Sequence, residues 1–406
     1  VVRINLQQKL NTIGPGILMA TAAIGGSHLV AATQAGALFG WQLLWLIIVV
    51  NLLKYPFFRF GVEYTLHTKR SVIEGYKRQG KFIFVTFTAL NIVAAIVNTA
   101  GVLLLTASLL QYALPVSVGI STLCFAVLSV CLIILLFGHY KTLDKASKWI
   151  MICLTVATVS ALIIAQFQGS AYPTPEKVPD PYQLAMLGFL VVLMGWMPAP
   201  IEISAINSLW VKAKCKTETL NYRQGMFDFN LGYGLTALLA LVFFALGVIV
   251  QFGSTTKIEL AGVAFSKQLI EMYTMTIGEW ARNLVSAIAF LCMFGTTLTV
   301  LDGYARTLNE VLCLTRQKTS RTSLTIFVLL QAIFGISVVL FFKANLKDML
   351  TFAMSLAFVT TPVFAWFNYR LMINIEKPPL GILKFLTWIG LVYLFGFALL
   401  FIYWRF

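Results

Sequence analysis

Two short runs hold residue types that could bind a solute. Gly25-Gly26-Ser27-His28, within TAAIGGSHLVAATQ, sets two residues without side chains beside a hydroxyl and an imidazole. Glycine lets a ligand approach the main chain closely, serine can cap a helix start, and histidine can change charge near neutral pH. The second run, Met197-Pro198-Ala199-Pro200-Ile201-Glu202, combines a thioether, two residues lacking a backbone N–H and a carboxylate. Two prolines so close together end the helix that contains them. The chemistry implied is recognition by freed main-chain groups, with Ser27, His28, Met197 and Glu202 as contributing side chains and Ala199 leaving space. A helix restarting near His28 would offer amide groups and a positive dipole end to an anion or a carboxylate. Glu202 has two readings: a group that balances a cationic moiety or carries a proton, or an acid near the third position of a helix that starts at Pro200.

Both runs interrupt long apolar segments. Hydrophobic residues make up 59% of the 406 and charged residues 11%, and the mean hydropathy is +0.86; a soluble domain does not have this composition. About 20 apolar residues form one helical crossing of a bilayer, and eleven such spans can be placed: Thr12–Ala37, Gln42–Leu66, Phe82–Gln111, Val116–Gly138, Trp149–Phe167, Tyr182–Trp210, Phe229–Phe252, Glu279–Leu314, Ser323–Phe342, Leu346–Met372 and Ile382–Trp404. The segments lack the short alternation of a membrane barrel, so the expected fold class is an all-α polytopic membrane protein.

The net charge of +15 does not call for a nucleic acid. With the N-terminus inside, Arg3, Lys9, Lys69, Arg70, Lys77, Arg78, Lys81, Lys141, Lys145, Lys148, Lys212, Lys214, Lys216, Arg223, Arg316, Lys318, Arg321, Arg370, Lys377 and Lys384 gather on the inner side. Lys177, Lys257, Lys267, Arg282, Lys343, Lys347 and Arg405 are left outside. That bias predicts a cytoplasmic N-terminus and an extracytoplasmic C-terminus, in a bacterial inner membrane. The chain starts at a valine, so a few residues are expected to precede it, and no cleavable signal peptide is expected because the first segment runs straight into a full-length span. Cys124, Cys131, Cys153, Cys215, Cys292 and Cys313 show no CxxC and no metal-ligand spacing, and are expected to be reduced.

Five spans separate the interruptions in spans one and six, which gives the two broken helices opposite polarity. The organisation expected is one transmembrane domain over residues 1–406, with a first inverted five-helix repeat at 12–168, a second at 182–372 and an additional helix at 382–404. Glycine or proline breaks at matching positions of two halves mark a transporter's midplane site.

The run GPGILMATAAIGGSHLVAATQAGALFGWQLLW, the Met197-Pro198 pair, the number of spans and the order of loops resemble the Nramp transporters, over nearly the whole chain. This resemblance implies the LeuT fold, with 11 transmembrane helices, two inverted repeats and broken helices 1 and 6. The motif residues differ. Where the family has Asp-Pro-Gly-Asn, this chain has Gly25, Gly26, Ser27 and His28; where the family has Met-Pro-His, it has Met197, Pro198 and Ala199; and the family's acidic pair of span three aligns with Asn98 and Gly101. A divalent cation held by Met197, His28 and carbonyls alone would keep its charge at membrane depth, where even one unit charge costs about 2.5–3.5 kcal/mol or more.

The function expected is therefore secondary active transport of a small polar solute, anionic or zwitterionic, with a proton or sodium as coupling ion, by a monomer that carries no cofactor. Uptake of a divalent metal (Mn, Fe or Mg), with Met197 and His28 as ligands, is the alternative, and a non-transporting membrane sensor is the second. No nucleophile, base and orienting acid group by spacing, so an enzyme is not expected, and no phosphate-binding loop for nucleotide hydrolysis is present. Asn98, Thr296, Thr297, Thr360 and Thr361 become cavity candidates where spans three, eight and ten line the site as in the family. Asp302 and Arg306, spaced i and i+4, predict a gating or structural pair, and Lys54, Arg59 and Glu63 are expected to snorkel or pair at the inner end of span two.

Overall fold

The computed structural model describes residues 13–114, 118–137, 140–217, 220–254, 262–316, 321–342 and 346–405. Arg3, Lys9, Lys257, Lys318 and Lys343, and the expected span ends Thr12, Val116 and Gly138, lie outside them.

The first span is broken where glycine makes breaking cheap. Helix α1 (Pro15–Ala23) opens with proline at its first position, where the missing N–H is no loss. It stops at Ile24, whose backbone is extended, and winding resumes through a π-helical turn over Ser27–Ala32 into α2 (Thr33–Phe39). Gly40, at φ +56°, turns the chain into α3 (Leu44–Thr68). Short α4 (Val72–Gln79) is capped by Ser71, whose side chain accepts from the Glu74 amide. Then follow α5 (Lys81–Ala113), α6 (Ile120–Phe137) and α7 (Tyr140–Gln168).

The second broken span consists of α8 (Leu187–Trp196) and α9 (Ile203–Thr217), with the proline-containing run between them. Helix α10 (Tyr222–Leu246) starts on a capping box of Asn221 and Gln224. The remaining elements are α11 (Gly262–Ile277), α12 (Arg282–Arg316), α13 (Arg321–Phe341), α14 (Leu346–Asn374) and α15 (Gly381–Arg405). Among the described residues, nine helical stretches are long and apolar enough to cross a membrane, one of which joins Ser27 to Thr68 across the turn at Gly40. The expected count of eleven requires dividing that stretch at Gly40 and counting each broken helix as one span.

Helices α12, α13 and α14 each pack on α5, while α10 lies along α1 and α3, and α9 along α3 and α1; α14 also packs on α8 and α3, and α12 on α1 and α9. The α1–α10 crossing is a backbone-to-backbone contact: a Cβ added to Gly16 would lie 2.1 Å from the Asp228 carbonyl oxygen, and one on Gly232 would lie 2.1 Å from that of Gly16. The Asp228 carboxylate completes this crossing by accepting from the amides of Gly14 (2.9 Å) and Gly16 (2.7 Å), an anion seated on a helix start.

Candidate functional site

The break in the first span leaves carbonyls without their helical donors, and α12 supplies one. The Thr296 hydroxyl lies 2.9 Å from the carbonyls of both Thr21 and Ile24 and 3.1 Å from that of Cys292. Across from it Gly25 and Gly26 line a cavity of about 30 Å³ together with Asn98, Trp196, Pro200, Thr296 and Tyr304. Both helix breaks thus face one space, with room for about one or two waters. The Trp196 indole closes one side: a Cβ on Gly26 would lie 2.5 Å from its Cζ3. The indole nitrogen is buried and has no hydrogen-bond partner among the described residues.

Asn98 also borders a second cavity, of about 130 Å³, which Glu202 and Thr360 line with apolar side chains of α5 and α14. Three polar groups separate the two spaces. Asn98 Nδ2 donates to Tyr304 Oη at 2.7 Å and to Glu202 Oε1 at 3.4 Å, and Tyr304 Oη donates to Glu202 Oε1 at 3.2 Å. Glu202 is buried, and its Oε2 has no hydrogen-bond partner among the described residues.

At the second break, the carbonyls at the end of α8 meet a lysine. Lys54, fully buried on α3, places Nζ 2.7 Å from the Met194 carbonyl, 3.1 Å from that of Gly195 and 3.4 Å from that of Ala199. Its expected place at the inner end of span two is thereby corrected. Snorkelling needs water within reach of the side chain, whereas an interrupted helix beside Lys54 offers three acceptors at closer range. Arg59 and Glu63 do pair, at 3.1 Å.

Two expectations at the first break need correction as well. His28 N–H donates to the Gly25 carbonyl at 3.1 Å, so it is not a free amide, and Ser27 lies inside the resumed winding and makes no cap. The Ser27 hydroxyl pairs with His28 Nδ1 (2.6 Å) or donates to the Ala23 carbonyl (3.2 Å). His28 Nε2 lies 2.9 Å from the Thr236 carbonyl on α10, which requires a proton on Nε2. The imidazole therefore faces α10 and does not line the cavity between the breaks.

The structure brings Gly25, Gly26, Asn98 and Thr296 to one cavity, and Asn98, Glu202 and Thr360 to the other. Met197, Ala199, Thr297 and Thr361 are buried but line neither. Thr297 and Thr361 donate within their own helices, to the carbonyls of Met293 and Ala357. Asp302 and Arg306 form an ion pair at 2.6 Å, which Trp210 Nε1 joins at 3.5 Å. Sequence reasoning missed Trp196, Tyr304 and the position of Lys54. Of these only Lys54 left a signal, a single charge deep within an apolar run.

Two interrupted helices meeting at an enclosed cavity define an all-α membrane protein of the LeuT fold. Solved structures agree: a manganese transporter of Eremococcus coleocola matches with a TM-score of 0.67 at 12% identity, over 97% of this chain and 86% of that one. MhsT in complex with L-phenylalanine matches at 0.63 and 13%, over 95% and 98%. Mhp1, a nucleobase-cation-symport-1 family transporter with bromovinylhydantoin bound, matches at 0.60 and 12%, over 90% and 79%. No family model matches the chain. It is 52% identical over 400 residues to the uncharacterised protein PM0681 of Pasteurella multocida (strain Pm70), covering 97% of this chain and 92% of that protein, and the chain belongs to the same family.

Proposed function

We propose that the chain is a secondary active transporter, related to the Nramp family, that carries a small polar solute through the space between its two helix breaks. The observation that carries this reading is the shared cavity. Gly25 and Gly26 from one break and Pro200 from the other line a single enclosed space, and interrupted backbone at membrane depth is tolerated where it borders such a cavity. Residues 12–168 and 182–372 are the two inverted repeats in this reading, with 382–404 appended. The N-terminus is cytoplasmic, the protein sits in a bacterial inner membrane as a monomer, and a proton or sodium drives uptake.

The solute is anionic or zwitterionic in this proposal. Among the described residues no ionised side chain lines the cavity between the breaks, so a divalent cation there would lack neutralising ligands. Among the described residues no three His, Cys, Asp or Glu side chains are grouped to hold a metal ion. The second reading, divalent metal uptake, draws on the Nramp resemblance and on the fold shared with a manganese transporter. Uptake into proteoliposomes separates the two. Accumulation of a small carboxylate or amino acid, lost in Glu202→Gln or Gly26→Ala, supports the first. Saturable manganese uptake abolished by Met197→Ala sinks it, and accumulation of no solute at all favours a non-transporting sensor.

A further inference from the structure

We infer that the break of the second discontinuous span is a cation site filled by the protein's own ammonium, that of Lys54. Carbonyls freed at the C-terminal end of a half-helix converge on a point of negative potential and, at membrane depth, call for a cation. Here the Met194 and Gly195 carbonyls from the end of α8 and the Ala199 carbonyl from beyond the break surround Lys54 Nζ at 2.7, 3.1 and 3.4 Å. An ammonium has three donors and no acceptor, so three carbonyls satisfy it completely. Burial excludes water from this contact, since no part of Lys54 reaches the surface.

The arrangement also explains how a lysine is tolerated among apolar helices. A buried ammonium needs partners for its donors, and Lys54 finds three of them in the carbonyls of Met194, Gly195 and Ala199. Because the cation is covalently tethered to α3, it cannot leave during a transport cycle. The second break therefore needs no exchangeable sodium or potassium, and α3 and α8 are held together at that point. This consequence for transport rests on the function proposed above, whereas the site itself does not.

The test reads stability, so it can fail or succeed whether or not transport is ever observed. Lys54→Ala removes the ammonium and leaves a space beside the carbonyls, while Lys54→Met removes the charge but fills that space. Thermal unfolding of the purified protein is followed in 200 mM ammonium, sodium or choline chloride. In ammonium or sodium, relative to choline, Lys54→Ala should gain about 2–4 °C in Tm from ligand linkage, and the wild type and Lys54→Met should not respond. Recovery of folded Lys54→Ala only in buffers with a small cation counts as the same rescue. The inference is overturned when Lys54→Ala unfolds alike in all three salts, when it folds in none while Lys54→Met folds, or when the wild type gains as much as Lys54→Ala.

Discussion

Thr296→Val tests whether the first span is broken where Ile24 and Gly25 lie. Valine matches threonine in shape, so the substitution removes a donor and leaves no void. The hydroxyl has a single proton and reaches three carbonyls, at 2.9, 2.9 and 3.1 Å. That of Cys292 belongs to the same helix as Thr296, and that of Ile24 keeps a weak donor in Cys292 Sγ at 3.5 Å. The loss therefore amounts to one buried acceptor left without a partner, about 1–3 kcal/mol. The measurement is reversible unfolding in mixed detergent micelles, with Thr296→Ser, which keeps the hydroxyl, as the control. A continuous helix would satisfy the Thr21 carbonyl from its own backbone, and Thr296→Val would then be neutral. Stability within about 0.5 kcal/mol of the wild type would refute the argument.

Gly232→Ala places a methyl group 2.1 Å from the Gly16 carbonyl oxygen, and because backbone cannot move aside cheaply it should abolish recovery of folded protein; Gly234→Ala, with nothing within 4 Å on the same helix, should be silent. Equal yields of the two variants in size-exclusion chromatography would contradict the close crossing of α1 and α10. Gly25→Asp adds a carboxylate to the cavity between the breaks, the nearest atoms to its Cβ being side-chain atoms of Thr296 and Met293 at 3.1–3.5 Å. Manganese should raise the Tm of this variant and leave that of the wild type unchanged, as thermal-shift titration would show; a response of the wild type would revive the metal reading.

The breaks were legible because they depend on local chemistry. Pro198 and Pro200 interrupt the helical hydrogen bonds wherever they are placed, and Gly25-Gly26, which alone reads as readily as a packing kink, gained its meaning from the matching break in span six. What each side chain faces was legible only in part. His28 sits at the break as expected, yet the turn of the π-helix directs it to α10, and no periodicity in the sequence fixes that rotation. Asn98 came to notice through alignment with a family motif. Its partner Tyr304 lies 206 residues away, a pairing that only tertiary packing creates. Lys54 shows the limit most clearly: a lysine in an apolar run reads equally as a snorkelling residue or as a buried cation, and the choice depends on whether another helix ends beside it.

The unequal strength of the contacts around the two cavities bears on where the transporter proposed above would open. Helix α10 holds the first span on both sides of its break, through the Gly16–Gly232 crossing and the bond from His28 to the Thr236 carbonyl. Lys54 likewise ties α3 to the end of α8. Between α9 and the group formed by α5 and α12, by contrast, the polar contacts of Glu202 are two hydrogen bonds of 3.2 and 3.4 Å, while the 2.7 Å bond from Asn98 to Tyr304 lies wholly within that group. Beside the cavities, parting gives up two long bonds and keeps the short one, at net losses of about 0.5–1.5 kcal/mol each, while further along the same helices the Lys212–Glu310 ion pair at 2.7 Å and the Trp210–Asp302 contact at 3.5 Å hold α9 to α12; the seam that can part cheaply is therefore the stretch at Glu202 alone. Tyr304→Phe removes the 3.2 Å bond to Glu202 and, with the hydroxyl, the acceptor of the 2.7 Å bond from Asn98. In a variant cleared of other reactive thiols, it should speed maleimide labelling of a cysteine introduced by Thr360→Cys, which lines the 130 Å³ cavity. An unchanged labelling rate would place the opening seam elsewhere.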